Sequence, residues 1–414
     1  MTQQIFSHRL ANGLTLAAEA MPWLESAAFA LLVPAGCSFD PVDRLGLGNL
    51  TCEMIQRGSG SRNSRQFVDD LENMGADTSA SVSIAHTSFG GAMPAVNLAD
   101  VLAIYADVVQ RPHLPEDQFD DAQQVCIQEV RSVDDELSQK AMLDLRRRHY
   151  GDPLGRASHG TLEAIEATQL SDVQSFFQQR FQPGNAILAV AGKIEWPRLV
   201  ADVERIFGGW ASHAAPSFVE SPGERGYVHL PHESGETHVG LAFDSLPYRD
   251  ENYFQARAAI GVLSDGMSSR LFTEVREKRG LVYTVYASCH SMLNRGCVFG
   301  YAGTTTDKAQ ETLDVMLAEF QRLHDGVQDD ELARLKAHLK TSLIMQQESS
   351  RSRAGSIAGD WYHLGRIRPL AELQGILNAL SCETINRYLK SEPPPRYTVV
   401  SLGEKPLEIP GEIL

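Results

Sequence analysis

Apolar positions along the chain form two kinds of run, and the same order of runs occurs twice. AAFALLVPAG (27–36) and HVGLAFDSLP (238–247) are apolar stretches that end in turn residues, the pattern of a strand. AILAVAG (186–192) and YTVVSLG (397–403) predict a closing strand for each half, and GCVFGYAGT (296–304) reads as a strand interrupted by glycines. SASVSIAHTSFGG (79–91) alternates apolar and polar residues, which predicts a half-exposed strand. Two longer stretches, 115–137 and 329–350, carry apolar residues at three- and four-residue spacing and predict long amphipathic helices.

The repetition holds residue by residue around one segment. Ser64-Arg65-Gln66-Phe67, then Gly75 and the run to Ser83, align without a gap on Ser269-Arg270-Leu271-Phe272, Gly280 and the run to Ser288. Strands clustered with helices in this order predict an α+β fold of two homologous halves, each a mostly antiparallel sheet with helices packed on one face. The Pro-, Gly-, Ser- and charge-rich stretch 214–226 reads as a linker, placing one half at 1–213 and the other at 227–414.

Composition narrows the function classes. A formal net charge of −16 argues against nucleic acid or an anionic membrane as partner. The six cysteines (37, 52, 126, 289, 297 and 382) show no C-x-x-C pair and read as reduced thiols. MTQQIFSHRLANGLTL has no basic segment followed by an apolar run, and no stretch nears the roughly 20 apolar residues that span a bilayer. The expected location is the cytoplasm. LRRRHYGDP (145–153) reads as a solvated helix tail whose cations complement the helix dipole, and His86, His159 and His290 read as isolated structural histidines.

Two stretches carry a family resemblance: GLGNLTCEMIQRGSGSRNSRQFVDDLENMGA (46–76), and SDGMSSRLFTEVREKRGLVYTVYA (264–287) followed by GYAGT (300–304). LANGL (10–14), PLGR…GT (153–161) and FQPGNAILAVAG (181–192) add to it. Together these resemble the first and second halves of pitrilysin/insulinase zinc metallopeptidases, including the mitochondrial processing peptidases and their bacterial relatives. The resemblance implies that the two halves form half of a clamshell chamber. Active members carry H-x-x-E-H on a helix of the first half, where two histidines and a distal glutamate hold zinc and the central glutamate serves as base.

Aligned on Gly46 and Gly58, that motif falls on Asn49-Leu50-Thr51-Cys52-Glu53. Asn49 stands for the first histidine, Cys52 for the base and Glu53 for the second histidine. Glu129 matches the distal ligand, a supporting glutamate has become Ala122, and the usual glutamate of the 76–90 stretch has become Ala85. Cys52, Glu53 and Glu129 are each competent ligand types, but Cys52 and Glu53 are helix neighbours pointing about 100° apart. No metal is therefore expected in this chain. Cys52 as a nucleophile would need a base, and local spacing supplies no histidine.

The second half keeps what the first lacks. REKRGLVY sets Arg276 and Tyr283 seven residues apart, the spacing at which the family contacts substrate backbone and stabilises the oxyanion. The resemblance thus implies a non-catalytic subunit that contributes Arg276 and Tyr283 to a heterodimeric zinc endopeptidase. A zinc-bearing homologue would be its partner and peptides or unfolded segments its substrate, with a homodimer possible for the chain alone. Two alternatives are a non-enzymatic scaffold of the same fold, and an independent hydrolase built around Cys52. The strand near 76–90 would receive an extended substrate at a sheet edge.

Overall fold

The computed structural model describes residues 3–213 and 217–414; residues 1–2, and 214–216 of the stretch read as a linker, lie outside the described residues. In chain order the first half forms β1 (Gln4–Arg9), β2 (Thr15–Ala20), β3 (Ser26–Val33), a ribbon of β4 (Gly58–Ser59) and β5 (Arg62–Asn63), β6 (Asp77–Val82), β7 (Thr87–Pro94) and β8 (Ile187–Gly192). Its helices include α1 (Leu47–Ile55), α2 (Ser64–Asn73), α3 (Leu98–Gln110), α4 (Phe119–Asp135) and α5 (Leu137–Tyr150). The second half adds β9 (Tyr227–Pro231), β10 (Glu236–Ser245), β11 (Val282–Ser291), β12 (Gly296–Thr305) and β13 (Thr398–Gly403).

The main sheets have the orders β1-β2-β8-β3-β7-β6 and β11-β12-β10-β13-β9. With the second order read in reverse, β8, β3, β7 and β6 correspond to β13, β10, β12 and β11, so the sequence repeat is a repeat of strand order. Each sheet is antiparallel except for one parallel pair, β2 with β8 and β13 with β9. Among the described residues no helix is long and apolar enough to cross a membrane.

Two compact units result, and they exchange segments. One comprises residues 1–132, 156–220 and 344–370; the other comprises 133–155, 221–343 and 371–414. Their division at 220/221 falls inside the stretch 214–226, but two helical segments cross the boundaries read from sequence. Each predicted long helix is present, and a second helix follows it directly. α4 stops at Asp135 and α5 begins after Glu136, whose backbone is extended (φ −90°, ψ 90°). Likewise the Asp329–Gln346 helix is followed by a Ser350–Leu364 helix, capped by the Ser349 side chain on Ser352 N–H at 3.2 Å.

The exchange explains why β2 and β8 are buried at every position. Side chains alternate across a strand, so Leu16, Ala18, Leu188 and Val190 enter the main core with Phe29, Leu31 and residues of α1 and α3. Ala17, Met21, Ala28, Ala189 and Ala191 face the other way and meet Ala354, Ile357 and Ala358 of the Ser350–Leu364 helix. The first half's own helices pack on one face of this sheet, and a helix from the second half covers the other, as fully buried strands require. The alanines keep that second face shallow enough for a helix to lie close.

The second sheet receives α5 in the same way. Ala141, Leu145 and His149 are four residues apart on one helical face and all are buried. Gly240 of β10 admits the helix, since a Cβ there would meet Leu145 Cδ2 at 3.1 Å and Met142 Sδ at 3.4 Å. His149 is not on a solvated tail: its Nδ1 lies 3.0 Å from Thr398 Oγ1 and its Nε2 lies 3.3 Å from Asp244. Arg225 grips the same carboxylate with two bonds.

Candidate functional site

Helix α1 holds the positions that match the zinc motif, and its start is built from glycine and a distant carboxylate. Gly46 adopts φ +94°, a left-handed conformation that disfavours other residues. The missing side-chain cap is supplied by Asp40, which accepts the N–H groups of Gly46 at 2.8 Å and Gly48 at 2.9 Å. Burial pushes Asp40 up to about 7, against the pull of those two N–H groups and Arg156.

This shift sets a pH dependence. The folded state holds a proton on Asp40 that the unfolded chain has released above its ordinary 3.8. The unit containing α1 is therefore expected to lose stability as pH rises from about 4 to about 7, by at most about 1.4 kcal/mol per pH unit. Urea midpoints of wild type and Asp40→Asn, compared across that window, test this. The wild type should fall more steeply with pH, and parallel profiles would contradict the assignment.

Downstream, α1 turns Asn49 and Glu53 outward and Leu50, Cys52, Met54 and Ile55 into the core. Asn49 Nδ2 donates to Glu129 Oε2 on α4 at 2.7 Å and lies 3.7 Å from Cys126 Sγ. A carboxylate accepts only, so the amide must present its N–H group there, where a histidine would offer a lone pair. Glu53 accepts from Arg57 Nη2 at 2.9 Å. Cys52 is buried, and burial first, then the charges of Glu53, Cys126 and Glu129, push its thiol up to about 12. Ala122, on α4, is wholly buried.

These residues do not fit a zinc ion. Each carboxylate already has a hydrogen-bond donor, the amide turns its donor to Glu129, and the thiol keeps its proton at neutral pH. Among the described residues no three His, Cys, Asp or Glu side chains are grouped to hold a metal. The protonated core position of Cys52 likewise opposes its use as a nucleophile, because the thiolate is the reactive form. None of the six cysteines is in a disulfide.

The stretch 79–91 is a hairpin, not one strand. β6 and β7 are joined by a turn in which Ser83 N–H bonds His86 C=O at 2.8 Å, and Ala85 sits in that turn. The alternation runs on through the turn with no Gly, Pro or Asn to mark it, so the pattern alone conceals it. β6 is the edge strand, and β7 lies inside the sheet between β6 and β3. His86 packs its ring against Tyr362 with centroids 4.5 Å apart, and His290 Nδ1 meets Tyr150 OH at 2.8 Å, so both are structural as expected.

In the other unit, Arg276 and Tyr283 flank one turn. Arg276 lies in a short π-helical segment, Phe272–Glu277, exposed and stacked over the Phe272 ring at 5.0 Å. Gly280 makes the turn at φ +59°, and Leu281 and Val282 are buried. The β11–β12 register then shifts between Val282 and Thr284, so Tyr283 occupies a bulge and stands 81% exposed. A bulge re-aims a side chain, and here it turns the phenol out to solvent. No motif in the sequence announces the bulge or the π turn.

Among its described residues the unit containing α1 thus groups no three metal-ligating side chains, and the other presents an exposed guanidinium and phenol seven residues apart. Comparison with known proteins gives the same family for both. Residues 15–161 match the sequence model "Insulinase (Peptidase family M16)" and residues 168–339 match "Peptidase M16 inactive domain". An uncharacterized zinc protease of Rickettsia felis is 24% identical over 379 residues, covering 91% of this chain and 92% of that protein. The peptidase M16 inactive domain from Pseudomonas fluorescens has a similar fold, with a TM-score of 0.90 at 21% identity, covering 98% of this chain and 100% of that one. A chain of complex III from Candida albicans also shares the fold, with a TM-score of 0.82 at 18% identity over 97% and 96% of the two chains. With consecutive family matches and one topology throughout, the chain belongs to the pitrilysin/insulinase (M16) peptidase family.

Proposed function

We propose that the chain is the non-catalytic, substrate-contacting subunit of a heterodimeric zinc endopeptidase that acts on peptides or unfolded segments. Its partner would be a homologue with an intact H-x-x-E-H, which supplies the zinc and the base. The single observation that carries this reading is the asymmetry of the chain. The zinc-motif positions are closed by Asn49–Glu129 and Glu53–Arg57 bonds around a buried thiol, while Arg276 and Tyr283 stand in solvent.

The chemistry suits two donors without a metal of their own. Attack of water on a peptide carbonyl places negative charge on its oxygen. A phenol O–H and a guanidinium N–H then donate to that oxygen, and they gain most when the closed site excludes water. Edge strand β6 would take an extended chain by main-chain bonding. Its ladder with β7 is regular. β11, the edge strand of the other sheet, is by contrast bulged, and Ser264 Oγ accepts its Ala287 N–H at 2.7 Å, both features that oppose strand addition. Six cysteines outside any disulfide would suit a reducing cytoplasm.

Zinc content and peptidase activity of the purified chain, alone and mixed with a zinc-bearing homologue, test the reading. Activity confined to the mixture supports it. Stoichiometric zinc and activity in the chain alone would overturn it. A scaffold role is the second reading, favoured by the fold shared with a chain of complex III. A stable complex that contains the homologue yet hydrolyses nothing would put it first.

A further inference from the structure

The π-helical turn before Tyr283 has an unusual hydrogen-bond pattern, and one side chain closes it. Lys278 N–H bonds Thr273 C=O, five residues back, at 2.9 Å. Leu281 N–H bonds Val275 C=O six back, and Gly280 N–H bonds Arg276 C=O four back, both at 3.0 Å. A glycine-terminated helix commonly closes with spans of five and three. Here each span is one residue wider.

Widening the turn displaces a partner. In an α-helix Lys278 N–H would serve Glu274 C=O, but here it serves Thr273. Arg279 takes the vacated position: its Nη1 donates to Glu274 C=O and to Glu274 Oε2, both at 2.8 Å. Lys278 Nζ holds the other carboxylate oxygen at 2.7 Å. The Glu274 side chain is largely buried, and the bonds from Lys278 and then Arg279 draw it below its usual range, so it stays charged at neutral pH.

We propose that Arg279 is a positioning residue, which through Glu274 holds the wide turn that aims Arg276 and Tyr283. This rests on the substrate-contacting role given to those two residues above. Residues of an α-helix are about 100° apart around its axis, so closing the turn by one residue would rotate Arg276 relative to buried Val275 and Leu281. The bulge that turns Tyr283 outward begins at Val282, directly after this closure. π turns are rare in regular helices and often sit at functional sites, so a clamp dedicated to one needs a local purpose. Arg279 and Lys278 are themselves exposed and contribute nothing to the core.

The full-length variants Arg279→Ala and Arg279→Lys test this with two readouts. The first is amide hydrogen exchange at Lys278 and Leu281. It should quicken by about tenfold or more in Arg279→Ala while the β12 amides keep their protection, and Arg279→Lys should recover part of it. The second is steady-state hydrolysis of an unstructured peptide by the mixture with the zinc-bearing homologue. Arg279→Ala should lower kcat by about 10–100-fold with KM within about twofold, since only aim at the transition state is lost. A wild-type mixture that hydrolyses nothing would remove the split-site reading, and the exchange data would then decide the clamp alone. Unchanged exchange at both amides would overturn the clamp, as would an unaltered kcat in an active mixture. Loss of protection throughout β11 and β12 would also overturn it, by making Arg279 a general stabiliser.

Discussion

Arg353→Met is expected to lower the unfolding free energy of the unit it occupies by about 3–5 kcal/mol, the cost of leaving a buried charge without its partner. Arg353 and Glu19 are 1% and 3% exposed, and Arg353 Nε donates to Glu19 Oε2. Glu19 follows Ala17 on the face of β2 that receives the Ser350–Leu364 helix, so the pair joins the exchanged helix to the sheet. Gln3 Nε2 adds a second donor to Glu19 at 2.8 Å. Arg353 Nη2 has no hydrogen-bond partner among the described residues, so the pair is incompletely compensated.

The double replacement Glu19→Leu with Arg353→Met should therefore recover most of the loss, because removing both charges also removes both desolvation penalties. Chemical unfolding of the single and double variants reads the effect. Equal destabilisation in single and double variants would show that packing of the long side chains, not the charges, holds the helix.

Tyr283→Phe is expected to lower kcat of the two-subunit mixture by about 10²–10³-fold, the usual effect of deleting one oxyanion donor. Arg276→Ala should have an effect of the same order, and the double variant should lose less than the product of the two, since both act on one oxygen. Neither change should disturb folding, because both side chains are exposed. Phenylalanine keeps the shape of the bulged strand and removes only the hydroxyl. Steady-state kinetics on a peptide substrate, with circular dichroism to check the fold, makes the test. A kcat unaffected by both substitutions would exclude them from the chemistry and favour the scaffold reading.

Much of this protein was legible in its amino-acid order, and the limits fall at identifiable residues. Apolar runs and their spacing predicted the strands around 27–36, 186–192, 238–247 and 397–403, because burial on one or both faces must be written into the pattern. The repeat of Ser64-Arg65-x-Phe67 at Ser269-Arg270-x-Phe272 announced two related halves, and the sheets repeat in the same order. The reading of Asn49, Cys52 and Glu53 as replacements in a zinc motif rests on residue identity and the resemblance, and it can be made before any fold is known.

Other features arose only when distant segments met. Spacing placed helices within 115–137 and 329–350, but it cannot reveal which sheet is covered by the helices that follow Glu136 and Ser349. That choice belongs to complementary surfaces: the alanine face of β2, β3 and β8 for one helix, and Gly240 for the other. The Asn49–Glu129 bond spans 80 residues, and Asp40 caps α1 from outside the helix. The bulge at Tyr283 and the wide turn behind it depend on which backbone donor finds which acceptor, a competition that Arg279 settles in space. Residue types set the available chemistry of this chain, and tertiary packing decided which groups are neutralised and which face solvent.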